Sequence, residues 1–356
     1  MAEEKNVLFA IDLGNKQTKM KSSKAELIFP SAFAKVNPNA TALFEIEYPI
    51  DELGEYAIGG KVYHWGTALQ TKHSENELIH TMSFNDRYSN SEFQHLLKLA
   101  LARLSYDFTD RRNGASQYLC VDLVLGLPTS DFNKDTVLML KEFLKREVKV
   151  TVEDTSITII VDKVDFIKQF GGTILDLALN NDGEFHKQEL LNETIGIVDI
   201  GGGTILVDEC VKMSLGNSSV SETINNGIYN LYRNIAQTEK ARIDNLSEKT
   251  VQKVLHTPTQ EGRYLVQRTR YEKIDLTNEV EKEIQAYTEN LVSKLKNAFA
   301  DEKKYDFLLF TGGGANIVDL RLIKETFGKR TQIAQTPELA NVRGFYKYAL
   351  ANGFGN

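Results

Sequence analysis

The chain has two cysteines, six prolines and one tryptophan in 356 residues. Cys120 and Cys210 each sit in an apolar run. That excludes a disulfide framework and predicts two reduced core thiols in a cytosolic protein. No apolar run approaches the ~20 residues of a membrane span. The opening residues Met1 to Asn6 are acidic and polar, unlike a signal peptide, and Ala351 to Asn356 carries no amphipathic anchor. The expectation is therefore a cytoplasmic protein with no membrane contact. An excess of basic charge is also missing: 42 Lys and Arg face 49 Asp and Glu, a net charge of −7. Such a chain does not wrap nucleic acid with its own surface. The six histidines, His64, His73, His80, His95, His186 and His256, show no metal-ligand spacing and read as surface or partner-contact residues. Neither the Walker A spacing nor GxGxxG occurs, which argues against the P-loop and Rossmann classes. No segment is of low complexity.

What is present is an ordinary globular composition, 42% apolar and 26% charged. The length suits two or three domains with a sizeable core. The organising stretch is Ile197-Val198-Asp199-Ile200-Gly201-Gly202-Gly203-Thr204, with apolar runs entering and leaving it. It reads as strand, glycine turn, strand. The aspartate ends the first strand, and three glycines let backbone N–H groups approach a ligand closely. Bare amides beside a carboxylate suit a metal-bound phosphate. A plain β-hairpin is the alternative, although it needs fewer glycines.

The pattern recurs. Phe9-Ala10-Ile11-Asp12-Leu13-Gly14 matches Gly196-Ile197-Val198-Asp199-Ile200-Gly201, about half a chain away. One aspartate–glycine hairpin per half suggests two domains of like fold. A third glycine turn, Thr311-Gly312-Gly313-Gly314-Ala315-Asn316, closes the short apolar run Phe307 to Phe310.

The connecting elements follow from periodicity. An amphipathic helix runs from Ser91 to Leu104 behind an Asn90/Ser91 cap. Tyr118 to Leu125 reads as a buried strand ending at Gly126-Leu127-Pro128-Thr129. Helices are expected over Phe132–Arg146, Ile174–Leu179, Ile228–Ile235, Glu279–Ala300 and Val318–Phe327. Strands are expected within Lys149–Val161, and a third strand beyond the central hairpin over Val207–Met213. Thr336 and Pro337 read as the N-cap and first turn of a last helix. Residues 25–80, with Pro30, Pro38 and Pro49, read as a β-rich insertion, with Trp65 packing inside it and an exposed partner contact as the alternative; 236–277 reads as a second insertion.

The set of motifs resembles the actin–chaperone–sugar-kinase superfamily. Asp12-Leu13-Gly14 followed by Lys19 looks like its first phosphate motif. Asp199 to Thr204 looks like the second, and Thr311 to Asn316 like the adenosine motif. Gly126 to Thr129 and Leu339-Ala340-Asn341-Val342-Arg343-Gly344 look like its hinge segments. All five occur in family order across nearly the whole chain. Length and compact insertions are similar to the ParM-type plasmid-segregation actins. The resemblance implies an α/β fold of two RNase H-like (actin-fold) domains with a nucleotide cleft between them. Domain I would span 1–165 plus 337–356, with its insertion near 25–80. Domain II would span 166–336, with its insertion near 236–300.

It also implies roles. Lys19 would contact the β-phosphate, and the turn amides of Gly14, Asn15, Lys16 and Gln17 and of Gly201, Gly202, Gly203 and Thr204 would cradle the phosphates. Asp12 and Asp199 would hold Mg²⁺ through its waters. Gln169 falls where the family orients the attacking water; capping the following helix is the alternative. Gln169 would position that water by hydrogen bonding, leaving Asp199 or solvent to accept the proton. Gly312, Gly313, Gly314 and Asn316 would take adenosine, and Gly227, beside Glu222 and Asn226, is a candidate for its other wall, with an ordinary helix start as the alternative.

The function so implied is a cytoskeletal ATPase. It would polymerise with ATP, weaken its filament by hydrolysis and segregate plasmid DNA through a DNA-bound adaptor protein. ATP against GTP stays open, because glycine turns read the base weakly. The alternative is a small-molecule (sugar-type) kinase, for which Asp131 or Asp165 would serve as base. A chaperone would require a further substrate domain, and a membrane-tethered actin would require an anchor.

Overall fold

The structure is a computed structural model that describes residues 6–37, 47–81, 87–110, 116–214 and 220–355. The acidic start before Asn6, Pro38 in the first insertion and Asn356 at the C-terminus lie outside the described residues.

Strands in chain order are β1 (Val7–Leu13), β2 (Gln17–Lys21), β3 (Glu26–Pro30), β4 (Ala32–Lys35), β5 (Gly54–Ile58), β6 (Lys61–Trp65), β7 (Leu78–His80), β8 (Gln117–Leu127), β9 (Val148–Val152), β10 (Thr155–Lys168), β11 (Thr194–Ile200), β12 (Ile205–Val211), β13 (Ser221–Ile224), β14 (Leu265–Gln267), β15 (Lys273–Asp275), β16 (Phe307–Thr311) and β17 (Thr331–Ile333). Helices are α1 (Ile50–Leu53), α2 (Leu69–Lys72), α3 (Ser91–Tyr106), α4 (Lys134–Leu144), α5 (Gln169–Ala178), α6 (Ile228–Ala236), α7 (Glu239–Ile243), α8 (Glu248–His256), α9 (Thr277–Ala298), α10 (Leu320–Phe327) and α11 (Ala340–Ala351). The chain divides into unit 1, Met1–Lys187 with Asn341–Asn356, and unit 2, Gln188–Ala340.

Unit 1 is built on a ten-stranded sheet in the order β3-β2-β1-β8-β10-β9-β5-β6-β4-β7. Its centre, β1, β8 and β10, is parallel. Parallel strands covered on both faces read as continuous apolar runs, which is why Val7–Ile11 and Val121–Leu125 carry almost no polar residue. Helix α3 buries Leu96, Leu97, Leu99, Ala100 and Leu104 in this core. Its start is fixed by Asn90, whose side chain accepts from the Glu92 N–H at 2.8 Å, a cap worth about 1 kcal/mol. Strands β3 to β7 of the 25–80 region join this same sheet. Trp65 is fully buried there, donating from Nε1 to the Pro30 carbonyl at 2.8 Å and meeting Phe29 edge-on. Ala32, Ala34, Leu53, Leu69 and Leu78 form a small separate core.

Helices α5 and α11 of unit 1 cross almost backbone to backbone. A Cβ on Gly344 would lie 1.7 Å from the Gly172 carbonyl oxygen, and one on Gly172 would lie 2.4 Å from that of Asn341. The buried Asn341 side chain accepts from both the N–H and the hydroxyl of Thr173, at 3.2 and 2.6 Å.

Unit 2 carries a five-stranded sheet, β13-β12-β11-β16-β17. β11, β16 and β17 are parallel, while β12 and β13 return antiparallel. Helix α9 presents Val280, Tyr287, Leu291 and Leu295 to the core, the stripe expected of a 3.6-residue period. Between α6 and α9 lie α7, α8 and the β14–β15 hairpin.

Five local expectations need correction. Val207–Met213 is no separate strand; most of it is the hairpin's own return strand β12, paired along its length with β11, and the third strand is β13. Helix α5 begins at Gln169, directly after β10, five residues before the expected Ile174. The last helix begins at Ala340, not at Thr336–Pro337; Thr336 has φ +48, outside any cap geometry. Cys120 is exposed. It lies on the first four residues of β8, which run past the end of β1 and alternate between half-buried and exposed. His64, finally, is buried and His95 packs against the rings of Phe33 and Tyr63, so neither is a surface histidine.

Candidate functional site

The first hairpin, in unit 1, joins β1 to β2 with Asp12 opposite Lys19 in register. Both side chains are buried, with Lys19 Nζ 3.7 Å from Asp12 Oδ2. Two buried opposite charges this close hold each other in place. Gly14 to Gln17 form the turn and are half-buried to exposed. Ser31 braces that turn from the neighbouring loop. Its hydroxyl donates to the Gly14 carbonyl at 2.6 Å, its N–H donates to that of Lys16 at 2.9 Å, and its oxygen meets the Thr18 hydroxyl at 3.0 Å. The Arg87 guanidinium donates to the Leu13 carbonyl from the opposite end of the turn. Neither residue was singled out from the sequence. Each acts over a sequence separation that no local pattern records.

The second hairpin, in unit 2, is fully paired from Thr194–Val211 to Ile200–Ile205. Asp199 is 3% exposed. The turn folds on itself through Gly201 N–H to the Thr204 carbonyl at 2.9 Å. Its carbonyls are then taken by the start of α6. The N–H groups of Gly227, Ile228 and Tyr229 donate to the carbonyls of Gly203, Gly201 and Gly202 at 3.1, 2.9 and 3.0 Å. The N–H groups of Gly202 and Gly203 make no backbone hydrogen bond among the described residues. The turn thus offers donors while its acceptors are consumed, the polarity an anion requires.

This geometry explains the glycines. Gly227 is the N-cap of α6, and a Cβ there would come within 2.3 Å of the Gly202 carbonyl oxygen. It lets helix and hairpin meet backbone to backbone. Gly203, in contrast, has open space where a Cβ would point, and no positive φ requires glycine.

The third turn docks beneath the second hairpin inside unit 2. Asp199 pairs with Thr311 across β11 and β16. Gly312 has φ +82, and a Cβ on it would lie 2.3 Å from Asp199 Oδ1. Gly314 N–H donates to the Ile200 carbonyl at 2.9 Å. From the other side, the Pro337 carbonyl accepts from Gly312 N–H and the Thr311 hydroxyl at 3.0 and 3.1 Å. Gly313 faces the Glu338 side chain, and Asn316 is exposed. The structure therefore brings Asp199, Gly201 to Thr204, Gly227 and Gly312 to Gly314 together in unit 2. It brings Asp12, Gly14 to Gln17 and Lys19 together in unit 1.

Gln169, in unit 1, is the first residue of α5, half-buried, and the cap position is Lys168, which makes no side-chain cap bond. The two acids considered as kinase bases are already engaged. Asp131 accepts from Tyr88 and Ser130 at 2.6 and 2.7 Å, and Asp165 accepts from the Tyr348 hydroxyl and the Phe166 N–H. Among the described residues no three metal-ligating side chains cluster. This is compatible with a Mg²⁺ that arrives with its phosphates and keeps its waters. The buried carboxylates at the ends of β1 and β11, each beside a glycine turn, fit that mode. No helix among the described residues is long and apolar enough to cross a membrane.

Comparison with known proteins agrees with this fold. Residues 10–172 match the family described as the actin like proteins N terminal domain, and residues 194–339 match the Alp7A C-terminal domain. No curated protein matches by sequence. Among solved structures, the apo pSK41 ParM protein is similar at TM-score 0.74 and 22% identity, over 97% of each chain. A 15-stranded ParM filament from Clostridium botulinum is similar at TM-score 0.70 and 19% identity, over 97% of this chain and 99% of that one. Ta0583, an archaeal actin homologue solved in complex with ADP, is similar at TM-score 0.72 and 17% identity, over 96% of this chain and 99% of that one.

Proposed function

Because the chain belongs to the actin-like proteins, we propose that it is a cytoskeletal nucleotidase of the plasmid-segregation type, assembling with ATP and disassembling after hydrolysis. The observation that carries this reading is the polarity of the second hairpin, whose carbonyls are bound by α6 and whose Gly202 and Gly203 amides make no backbone hydrogen bond among the described residues. Each hairpin then has a task. Lys19, with the Gly14 to Gln17 turn, takes one part of the phosphate tail, and Gly201 to Thr204 takes the other. Asp12 and Asp199 are the groups that would hold Mg²⁺, which supplies neutralisation of charge on the phosphates. Gln169 orients water by hydrogen bonding, and the leaving proton passes to Asp199 or solvent. Gly312 to Gly314, with Asn316 and Gly227, bound the nucleoside.

Assembly then follows from differential affinity: filament contacts favour the ATP state, and hydrolysis withdraws that preference. One similar structure is of a filament and another is of an ADP complex, which supports self-association and nucleotide binding for this chain. The acidic balance supports a protein adaptor, rather than the duplex, as the link to DNA. A sugar kinase would need a carboxylate base, and Asp131 and Asp165 are both occupied by hydrogen bonds. High-speed sedimentation tests the proposal. Protein at micromolar concentration is expected in the pellet with Mg-ATP and in the supernatant without nucleotide. Protein that stays in the supernatant in every nucleotide state would defeat it.

A further inference from the structure

Within unit 1 the first hairpin has a second basic neighbour. Arg87 lies just ahead of the Asn90 cap of α3 and is half-buried. Its guanidinium donates to the carbonyl of Leu13, the last residue of β1, and lies over the rings of Tyr88 and Phe93, 5.7 and 5.4 Å from their centres. Among the described residues Arg87 forms no ion pair. A carbonyl and two ring faces offer only partial negative charge, which does not match the full charge of a guanidinium. Lys19 differs, because it stands 3.7 Å from the Asp12 carboxylate. That pair is neutral as a unit, so Arg87 is the group that brings net positive charge to the hairpin.

The chain fixes Arg87 at this place. Its own carbonyl accepts from Asn90 N–H at 3.3 Å, and that of Tyr88 accepts from Gln94 Nε2 at 3.3 Å. The Tyr88 hydroxyl donates to Asp131 at 2.6 Å, just past the end of β8. Arg87 and Tyr88 therefore join the ends of the parallel strands β1 and β8, the edge at which open α/β sheets meet ligands. The turn beside them is polarised for an anion. The carbonyls of Leu13, Gly14 and Lys16 accept from Arg87, the Ser31 hydroxyl and the Ser31 N–H. With those acceptors consumed by protein donors, an arriving ligand meets donors and positive charge.

We propose that Arg87 is a phosphate ligand of the first hairpin, donating to the phosphate tail of the bound nucleotide with the N–H groups that Leu13 leaves over. This rests on the nucleotidase reading and adds to it a residue outside the glycine motifs. A guanidinium holds five N–H donors in a rigid fork, so one edge can stay on a carbonyl while another takes phosphate oxygens. The stacked rings hold its plane, and the Leu13 bond sets its direction. A lysine has one nitrogen and cannot keep both contacts in that geometry. The competing role is a plain brace for the end of β1, which needs a donor but no charge.

Displacement of a fluorescent ATP analogue by Mg-ATP and by adenosine, at nanomolar protein, separates the two roles. Arg87→Gln keeps a donor for the Leu13 carbonyl and removes the charge; Arg87→Lys keeps the charge and removes the fork. Arg87→Gln is expected to weaken Mg-ATP by about 10- to 150-fold, the loss of one charge-assisted hydrogen bond. Arg87→Lys should fall between it and wild type, and adenosine affinity should stay unchanged in both. Urea midpoints identify any variant that is destabilised. If Arg87→Gln does not fold, Arg87→Lys decides, and wild-type ATP affinity in that variant would overturn the proposal. Equal ATP affinity in wild type and folded Arg87→Gln would overturn it, as would matched losses for ATP and adenosine. Wild-type protein that binds no ATP would overturn the nucleotidase reading along with it.

Discussion

Two glycine-to-alanine substitutions in unit 2 separate room for a ligand from room for the fold. At Gly203 a Cβ meets nothing within 4 Å, and the backbone is not in the left-handed region. Alanine there restricts the unfolded chain and should leave stability unchanged or raise it by about 0.4–1 kcal/mol. If the turn exists to bring amides onto phosphate, the methyl intrudes where the anion must approach. The loss of one hydrogen bond to a charged group is worth about 1.5–3 kcal/mol, or ~10- to 150-fold in affinity. Gly312→Ala is the opposite case. At φ +82 an L side chain costs about 1–2 kcal/mol, and the methyl lands 2.3 Å from Asp199 Oδ1 and 2.6 Å from the Ile200 carbonyl oxygen. With overpacking, the loss of stability should reach about 2–4 kcal/mol. The assay pairs urea denaturation with equilibrium binding of a fluorescent ATP analogue. Gly203→Ala should keep its urea midpoint and lose affinity; Gly312→Ala should lose its midpoint. A Gly203→Ala protein that binds ATP as tightly as wild type would refute this explanation of the triple glycine.

Further outcomes follow from the same geometry. Gln169→Ala and Asp199→Ala should slow ATP hydrolysis more than ATP binding and lengthen filament lifetime, read by phosphate release beside a binding isotherm; equal losses in Asp199→Ala would show that its main task is holding the Mg-nucleotide. His95 lies between Phe33 and Tyr63, at 5.1 and 4.1 Å between ring centres, and burial, helped by Lys98 and Lys61, lowers its pKa from 6.5 to about 4. The folded state therefore binds its proton less readily than the unfolded chain, so its contribution is complete above pH 6.5 and is lost as pH falls towards 4. His95→Phe should flatten the dependence of the urea midpoint across that window; an unchanged slope would contradict the assignment.

How far the sequence was legible depends on how local each signal is. The aspartate–glycine hairpins were readable because strand, turn and strand are contiguous and the apolar flanks mark both strands. Helix α3 was readable from its stripe and its Asn90 cap. Ser31 and Arg87 were not, since Ser31 braces Gly14 and Arg87 holds Leu13 across 17 and 74 residues of chain. The Thr336–Pro337 signal was locally sound yet overridden. Hydrogen bonds from Gly312 and Thr311 to the Pro337 carbonyl hold that segment as the floor of the third glycine turn, and the helix waits until Ala340. Cys120 misled because an apolar run does not reveal where a neighbouring strand stops. The spare amides of the second hairpin could not be foreseen either, because they depend on α6 donating to three carbonyls of the turn. The glycine count hinted at a ligand; the direction of the hydrogen bonds supplies its sign.

If nucleotide state at these hairpins controls assembly, filament mass must follow the chemistry of the bound nucleotide. Light scattering recorded together with phosphate release reads both at once, with Mg-ATP in one sample and a non-hydrolysable ATP analogue in the other. Scattering is expected to rise with both nucleotides, then to decay only with ATP and only as phosphate appears. Scattering that stays flat with both, or that decays equally with the analogue, would contradict control by the nucleotide.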